Sequence, residues 1–245
     1  MGTGDSDVPT LWRVDQYSGQ TSVRIAATQH PAVTGAVERR KILAEWIHFL
    51  AHTPTNIQHL DFVSRVPQEL LEAVAGQIHL RSIEVKWGPY DDISPLTELP
   101  QLERVSLGGA TQLQGLAPLK SLASLKELTV SQAHQLDDIT VLSDLRSLRA
   151  LQFGNSSLGS DKSVVIADLS WLPPLSQLTT LHLPGTRILN SDLFPILALE
   201  NLITLGLPLR RSYRKQVFEF AQRSPIFASL AAEYESYEGL RNTLA

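Results

Sequence analysis

Glu45, His48 and His52 stand at i, i+3 and i+7, on one face of any helix that contains them. Two imidazoles four residues apart can clamp a metal ion. Both histidines also fall near the C-terminal end of their segment, where an imidazolium suits the helix dipole without any metal. Asp91-Asp92 and Asp137-Asp138 invite comparison with paired catalytic acids. They recur at the same point of successive repeats, however, so a turn or cap role is expected for Asp92 and Asp138. Gly154-Asn-Ser-Ser-Leu-Gly159 comes nearest to a nucleophile elbow, but its spacing is wrong and no strand-to-helix turn follows. There is no phosphate-binding loop, no dinucleotide fingerprint and no H-E-x-x-H. With zero cysteines, disulfides, thiolate zinc sites and cysteine nucleophiles are excluded. The expectation is a non-enzyme with no cofactor and no catalytic residue. A metal protein or enzyme built on His48 and His52 is the remote alternative.

The elements that would have to position such groups are set by a repeat. An apolar residue, two polar ones, an apolar one, one polar and one apolar recur seven times, as in Leu125-Lys-Glu-Leu128-Thr-Val130. The copies begin at Ile57, Leu80, Leu102, Leu125, Leu148, Leu178 and Leu202, spaced 22 to 24 residues apart except for one step of 30. Such a period marks a solenoid. The last two apolar residues of each copy have strand spacing and should point inward, with their polar neighbours outward. The return segments share a second pattern, as in Asp92-Ile93-Ser-Pro95-Leu96-Thr-Glu-Leu99 and Asp138-Ile139-Thr-Val141-Leu142. Apolar residues three apart suit a short 3₁₀ or helical turn.

Strand phrase and return segment together resemble the leucine-rich repeat family, in its internalin-like and phosphatase-regulator-like branch, over residues 57–210. The resemblance implies an α/β right-handed solenoid of about seven repeats, with a parallel sheet on the concave face and helical caps at both ends. It also implies protein binding through the concave strands and their edge loops. The family usually has Asn three residues beyond the last strand apolar; here those positions hold Arg65, Gly88, Ala110, Ala133, Ser156, Thr186 and Arg210. Thr186 can take over that role, and loss of the other side chains predicts an irregular convex side.

Three regions follow: a cap over 1–56, repeats over 57–210 and a helical cap over 211–245. In the first, Ile42, Leu43, Trp46, Ile47 and Leu50 mark a helix over 35–52 that Pro54 stops. Trp12-Arg-Val14 and Val23-Arg-Ile25 suggest a hairpin or edge strand around Ser18-Gly19. In the last, Val217, Phe220, Ile226, Phe227, Leu230 and Tyr234 mark helices over 212–223 and 226–238, split by Pro225. Two caps imply a complete protein. The excess of the fifth repeat, Asn155 to Ser163, reads as a surface loop, either a tolerated excursion or a contact-bearing one. Arg210, Arg211, Arg214 and Lys215 are expected to pair with Glu233, Glu235 and Glu238, with an anionic partner as the second reading.

The outward strand positions divide into charged rows in the first four repeats and small neutral rows in the last three. Glu84, Lys86, Arg104, Glu127 and Thr129, with Gln152 and His182 further along, are the expected contacts for a partner. Trp87 and Tyr90 flank the Gly88-Pro89 turn and read as interface anchors, or as side chains folded back over a neighbour. For Tyr90 the second reading is preferred. A net charge of −4 argues against a nucleic-acid partner. No apolar run of about 18 residues spans a membrane. The sequence thus predicts a monomeric bacterial cytoplasmic module that binds a protein through repeats 2–4. The alternative is a sensor or immunity component acting with a separate effector or ATPase.

Overall fold

In each repeat phrase the inward apolar pair lies on a parallel strand with one face closed against the core. The computed structural model describes residues 8–136, 138–155 and 162–243, and the chain forms two compact units, 1–136 and 137–245. The first unit contains β1 (Thr10–Leu11), β2 (Ser22–Ile25), α1 (Ala36–His52), β3 (His59–Arg65), α2 (Gln68–Glu72), β4 (Ser82–Trp87), β5 (Arg104–Leu107) and β6 (Glu127–Ser131). Strands β1 to β6 pair in sequence order, all parallel. Phe62, Val85, Leu107 and Val130 fall in one lateral row and Leu60, Ile83, Val105 and Leu128 in another. All eight are buried. Each contributes roughly 1.5–3 kcal/mol by leaving water. Because every residue of a row touches only its neighbours, that gain requires stacked repeats.

The return segments are built by the leucines spaced three apart. Leu96, Leu99 and Leu102 each donate a backbone N–H to the carbonyl three residues before, at 3.1 Å in all three cases. The same ladder runs through Leu119, Leu122 and Leu125. It recurs in the second unit at Leu142, Leu145, Leu148, at Leu172, Leu175, Leu178 and at Ile196, Leu199, Leu202. This is 3₁₀ hydrogen bonding, and it satisfies the turn backbone without an Asn side chain. The expected irregular convex side is therefore corrected: from the second repeat on, the turns repeat the same bonds. Ala110 and Ala133 fill their inward positions as small buried side chains. Thr186 does act as a polar substitute, its hydroxyl donating to the Leu183 carbonyl at 2.8 Å.

The two ends differ from expectation in detail. β1 runs parallel to β2, so the N-terminal pair is an edge strand and not a hairpin. The cause is a 3₁₀ turn at Val14–Gln16, where Gln16 Oε1 accepts the Trp12 and Arg13 N–H groups at 2.6 and 3.0 Å and redirects the chain. Helix α1 buries Ile42, Trp46 and Leu50, with Leu43 and Ile47 half-buried. Gln77, itself buried, anchors this helix by donating to the Leu50 and Thr53 carbonyls at 2.6 and 3.0 Å and accepting from Thr55. These are carbonyls that a helix end leaves without partners.

The second unit contains β7 (Ala150–Gly154), β8 (Val164–Ile166), β9 (Thr180–His182), β10 (Thr186–Ile188), β11 (Thr204–Gly206), α3 (Arg214–Ala221) and α4 (Pro225–Thr243). β7, β9 and β11 pair in parallel, while β8 and β10 form a separate two-stranded sheet. The strand β8, for which the β-branched run Val164-Val165-Ile166 was the signal, begins just after the expected loop, most of which lies outside the described residues. Residues 156–161, Asp137 and the Glu238 side chain lie outside the described residues. The expected division into two helices holds, with Pro225 as the first residue of α4, a position that suits a residue without an N–H. Phe220 and Phe227 pack edge to face at 5.2 Å, and Val217, Leu230 and Tyr234 are buried with them, while Ile226 is half-buried. Arg210 does not turn to the acidic stretch. Its guanidinium donates to the Thr186 carbonyl and the Ser163 hydroxyl, both at 2.8 Å.

Candidate protein-binding face

The geometry around Trp87 begins with a register shift. Phe62 pairs with Val85, but Arg65, not Ser64, pairs with Trp87, because β3 holds one extra residue there. A bulge of this kind re-aims side chains at the end of a strand. Ser64 turns inward and is buried, its hydroxyl accepting from Thr28. Arg65 is left exposed beside Trp87. Trp87 itself is 40% exposed. Its carbonyl accepts the Val66 N–H at 2.9 Å, which fixes the backbone at this point. On its other side lies Gly109 with φ +51°, where an added Cβ would come within 2.8 Å of Trp87 Cβ. Any side chain at 109 would crowd the indole and strain the backbone.

Tyr90 is not part of this surface. It is fully buried, and its hydroxyl donates to the Gly108 carbonyl at 2.7 Å. Burial pushes the phenol far above its ordinary value. Of the two aromatics only Trp87 is exposed on the rim; Tyr90 holds the loop beneath it.

The strand face beside Trp87 is charged and largely self-paired. Arg104 and Glu127, opposite each other in register, form a two-pronged ion pair at 2.7 and 3.2 Å. The hydrogen bond between them holds Glu127 below and Arg104 above its ordinary value. Glu103 accepts from Lys126 at 2.6 Å and from Arg81 at 3.0 Å, and Lys126 above all lowers its titration. Arg24 pairs with Asp61 at 3.1 Å. Glu84 lies between Asp61 and Ser106 in the next row, with Thr129 beyond Ser106. Lys86 is exposed one residue before Trp87. The bases of this face outnumber its acids, Asp61, Glu84, Glu103 and Glu127. Away from the residues that enter the strands, the segments connecting β3 to β6 carry the opposite balance, with Glu69, Glu72, Asp91, Asp92 and Glu98 against Lys120. Between β3 and β6 the bases therefore gather on the strands and at their entries, in a chain that is negative as a whole.

Gln152 and His182 belong to the second unit, where they are register partners on β7 and β9. They line an open hollow of about 320 Å³ with Pro184, Gly206, Leu207 and Pro208. The imidazole lies across Gly206, whose Cβ, if present, would stand 2.9 Å from His182 Cδ2. Gly154 is buried and not on this face; a Cβ there would overlap the Pro184 carbonyl.

The other candidates resolve into structural roles. Asp92 accepts the Ser94 N–H and hydroxyl at 2.8 and 2.5 Å, and Asp138 accepts the same two groups of Thr140 at 2.8 and 2.7 Å. Asp168 repeats the arrangement on Ser170. These are Asx turns that lead into the return segments, the turn role that the register implied. The His48 and His52 rings stack at 4.7 Å, and His52 Nδ1 lies 3.0 Å from the His48 carbonyl, while Glu45 faces Lys41 at 3.9 Å. The three side chains do not converge on one point. What sequence reasoning missed was Arg65. An Arg where this repeat type expects a buried Asn was its signal, but the bulge that exposes it depends on cross-strand register.

The fold defines the class: the chain has the leucine-rich repeat fold in its internalin-like form. An internalin of Listeria monocytogenes shares it with a TM-score of 0.56 at 20% identity, over 77% of this chain and 54% of that one. Internalin C2 of the same species matches at 24% identity over 58% of this chain and 56% of its own, with a TM-score of 0.45. A leucine-rich repeat protein of Leptospira interrogans matches at 15% identity over 77% and 49%, also at 0.45. The chain spans about half the length of these structures. No protein-family model and no curated protein matches the sequence. Among the described residues no helix is long and apolar enough to cross a membrane.

Proposed function

We propose that the chain is a non-enzymatic protein-interaction module that binds its partner through the strands and the C-terminal rim of repeats 2–4. The observation that carries this reading is Trp87: a large aromatic, 40% exposed, held in place by its backbone and by Gly109, with charged residues around it. An aromatic anchor with a polar surround is the composition of an interaction hot spot. The leucine-rich repeat fold, in which stacked repeats present their strands side by side, supports the same reading. The candidate catalytic groups supply nothing that competes with it, since the aspartates form Asx turns and the histidines stack on their own helix. The test is a triple variant, Trp87→Ala with Glu84→Ala and Arg104→Ala. It should lose partner capture from host lysate and keep the thermal stability of the parent within about 1 kcal/mol, as surface changes do. Unchanged capture would remove this face from consideration.

A further inference from the structure

Most charges on the strand face of the first unit are spoken for by one another, and two are not. The Arg65 guanidinium and the Lys86 ammonium have no hydrogen-bond or ion-pair partner among the described residues, and both are exposed. Both stand at Trp87: Arg65 is its register partner across β3 and β4, and Lys86 precedes it in the chain. Gly109 packs its backbone against Trp87 Cβ and adds no side chain there. An exposed aromatic thus has two uncompensated cations as its nearest neighbours in the sheet, Arg65 across the strands and Lys86 before it along the chain, on a face where bases exceed acids.

We infer that the segment seated at Trp87 is an acidic stretch of polypeptide, with an aromatic or aliphatic side chain against the indole and carboxylates on Arg65 and Lys86. The inference rests on the proposed binding face and adds the chemistry of what it takes. Carboxylates meeting exposed cations steer association and fix register, while the apolar contact supplies the hot spot. Nucleic acid fits less well. A phosphate backbone needs an unbroken run of cations, and here Asp61, Glu84, Glu103 and Glu127 interrupt the face.

The test is selection of random dodecapeptides displayed on phage against the full chain, with the enriched sequences synthesised and their affinities measured. Asp and Glu flanking a single Phe, Trp, Tyr or Leu are expected to be enriched. Affinity should fall about tenfold or more for Trp87→Ala, as for a hot-spot residue. The charge-reversal pair Arg65→Glu with Lys86→Glu should reject these peptides and select basic ones, while circular dichroism shows each variant folded. Peptides that lose affinity with Trp87→Ala but show no acidic bias would overturn the acidic partner and leave the binding face standing. Peptides that bind Trp87→Ala as well as the parent, or no enrichment at all, would overturn both. Salt-sensitive binding of an oligothymidylate that Arg65→Glu abolishes, with no acidic peptide selected, would assign the two cations to phosphate and overturn the inference.

Discussion

The Tyr90 hydroxyl, buried under the rim, donates to the Gly108 carbonyl at 2.7 Å, one residue before the glycine that packs on Trp87. An interior residue of one repeat thereby fixes the loop of the next, and through it the setting of the exposed indole. Tyr90→Phe keeps the ring and deletes the donor, so it should cost about 1–2 kcal/mol in urea unfolding, the usual loss for an orphaned partner of a buried bond. A variant as stable as the parent would show that the bond contributes nothing.

The same burial predicts an alkaline limit. Tyr90 titrates far above its ordinary value in the folded chain, and Tyr234 is pushed up to about 12, burial being the main cause in both. In the unfolded chain both should lose their protons near pH 10. Stability from the two phenols is therefore complete below about pH 10 and falls as pH rises above it, because only the unfolded chain ionises there. Thermal midpoints measured from pH 8 to 11 should drop at the top of that range, and Tyr90→Phe should flatten the drop.

Gly109 combines a left-handed backbone with a close approach. Gly109→Ala should cost about 1 kcal/mol or more from the positive φ alone. It should also displace the indole, seen as a changed response of tryptophan emission to acrylamide in a Trp12→Phe background, since Trp46 and Trp171 are buried and Trp12 is half-buried. Unchanged stability together with unchanged quenching would mean that the two residues do not touch.

How far these features could be read from sequence depends on the range of the interaction behind each. The inward leucines and the turns at Leu96, Leu119 and Leu142 are local patterns of period two and three, and they were legible. So were the Asp92 and Asp138 turns, which need only a partner two residues on. Expected irregularity on the convex side failed because the absence of Asn was read as a loss, whereas the backbone bonds of Leu96, Leu99 and Leu102 already close each turn. Arg65 was hidden because its exposure follows from pairing with Trp87 after a bulge, a relation between residues of different repeats. Tyr90 stood among the expected contacts through adjacency, three residues from Trp87 in the chain, and its ring lies in the core, as the preferred reading of it had.

The Asx turns should be separable in energy. Asp92→Ala and Asp168→Ala should each cost about 0.5–1 kcal/mol, the lower part of the range for a lost hydrogen bond because both sites are open to solvent. Ser94 and Ser170 hold these carboxyls below their ordinary values. Their contribution is therefore present above about pH 4, where the unfolded carboxyl is ionised, and is lost as pH falls through the lower folded value. Chemical denaturation at pH 7 and pH 3 checks the sign: the difference between parent and Asp92→Ala should shrink at the lower pH.

The Arg104–Glu127 pair offers a last prediction, because stability and binding should answer differently to it. Its two-pronged geometry is good, but both side chains are about half exposed. A double-mutant cycle with Arg104→Ala and Glu127→Ala should return a coupling near 0.5 kcal/mol, the scale for exposed pairs, falling in added salt. Glu127→Gln would then barely move the unfolding midpoint while releasing Arg104 from its carboxylate. The face gains one uncompensated cation two repeats from Arg65. An acidic peptide selected at Trp87 should associate faster with this variant at low salt, and the gain should vanish as ionic strength rises. Association rates measured by surface plasmon resonance at two salt concentrations decide the matter. Equal rates for Glu127→Gln and the parent at low salt would mean that Arg104 lies beyond the electrostatic reach of the bound segment.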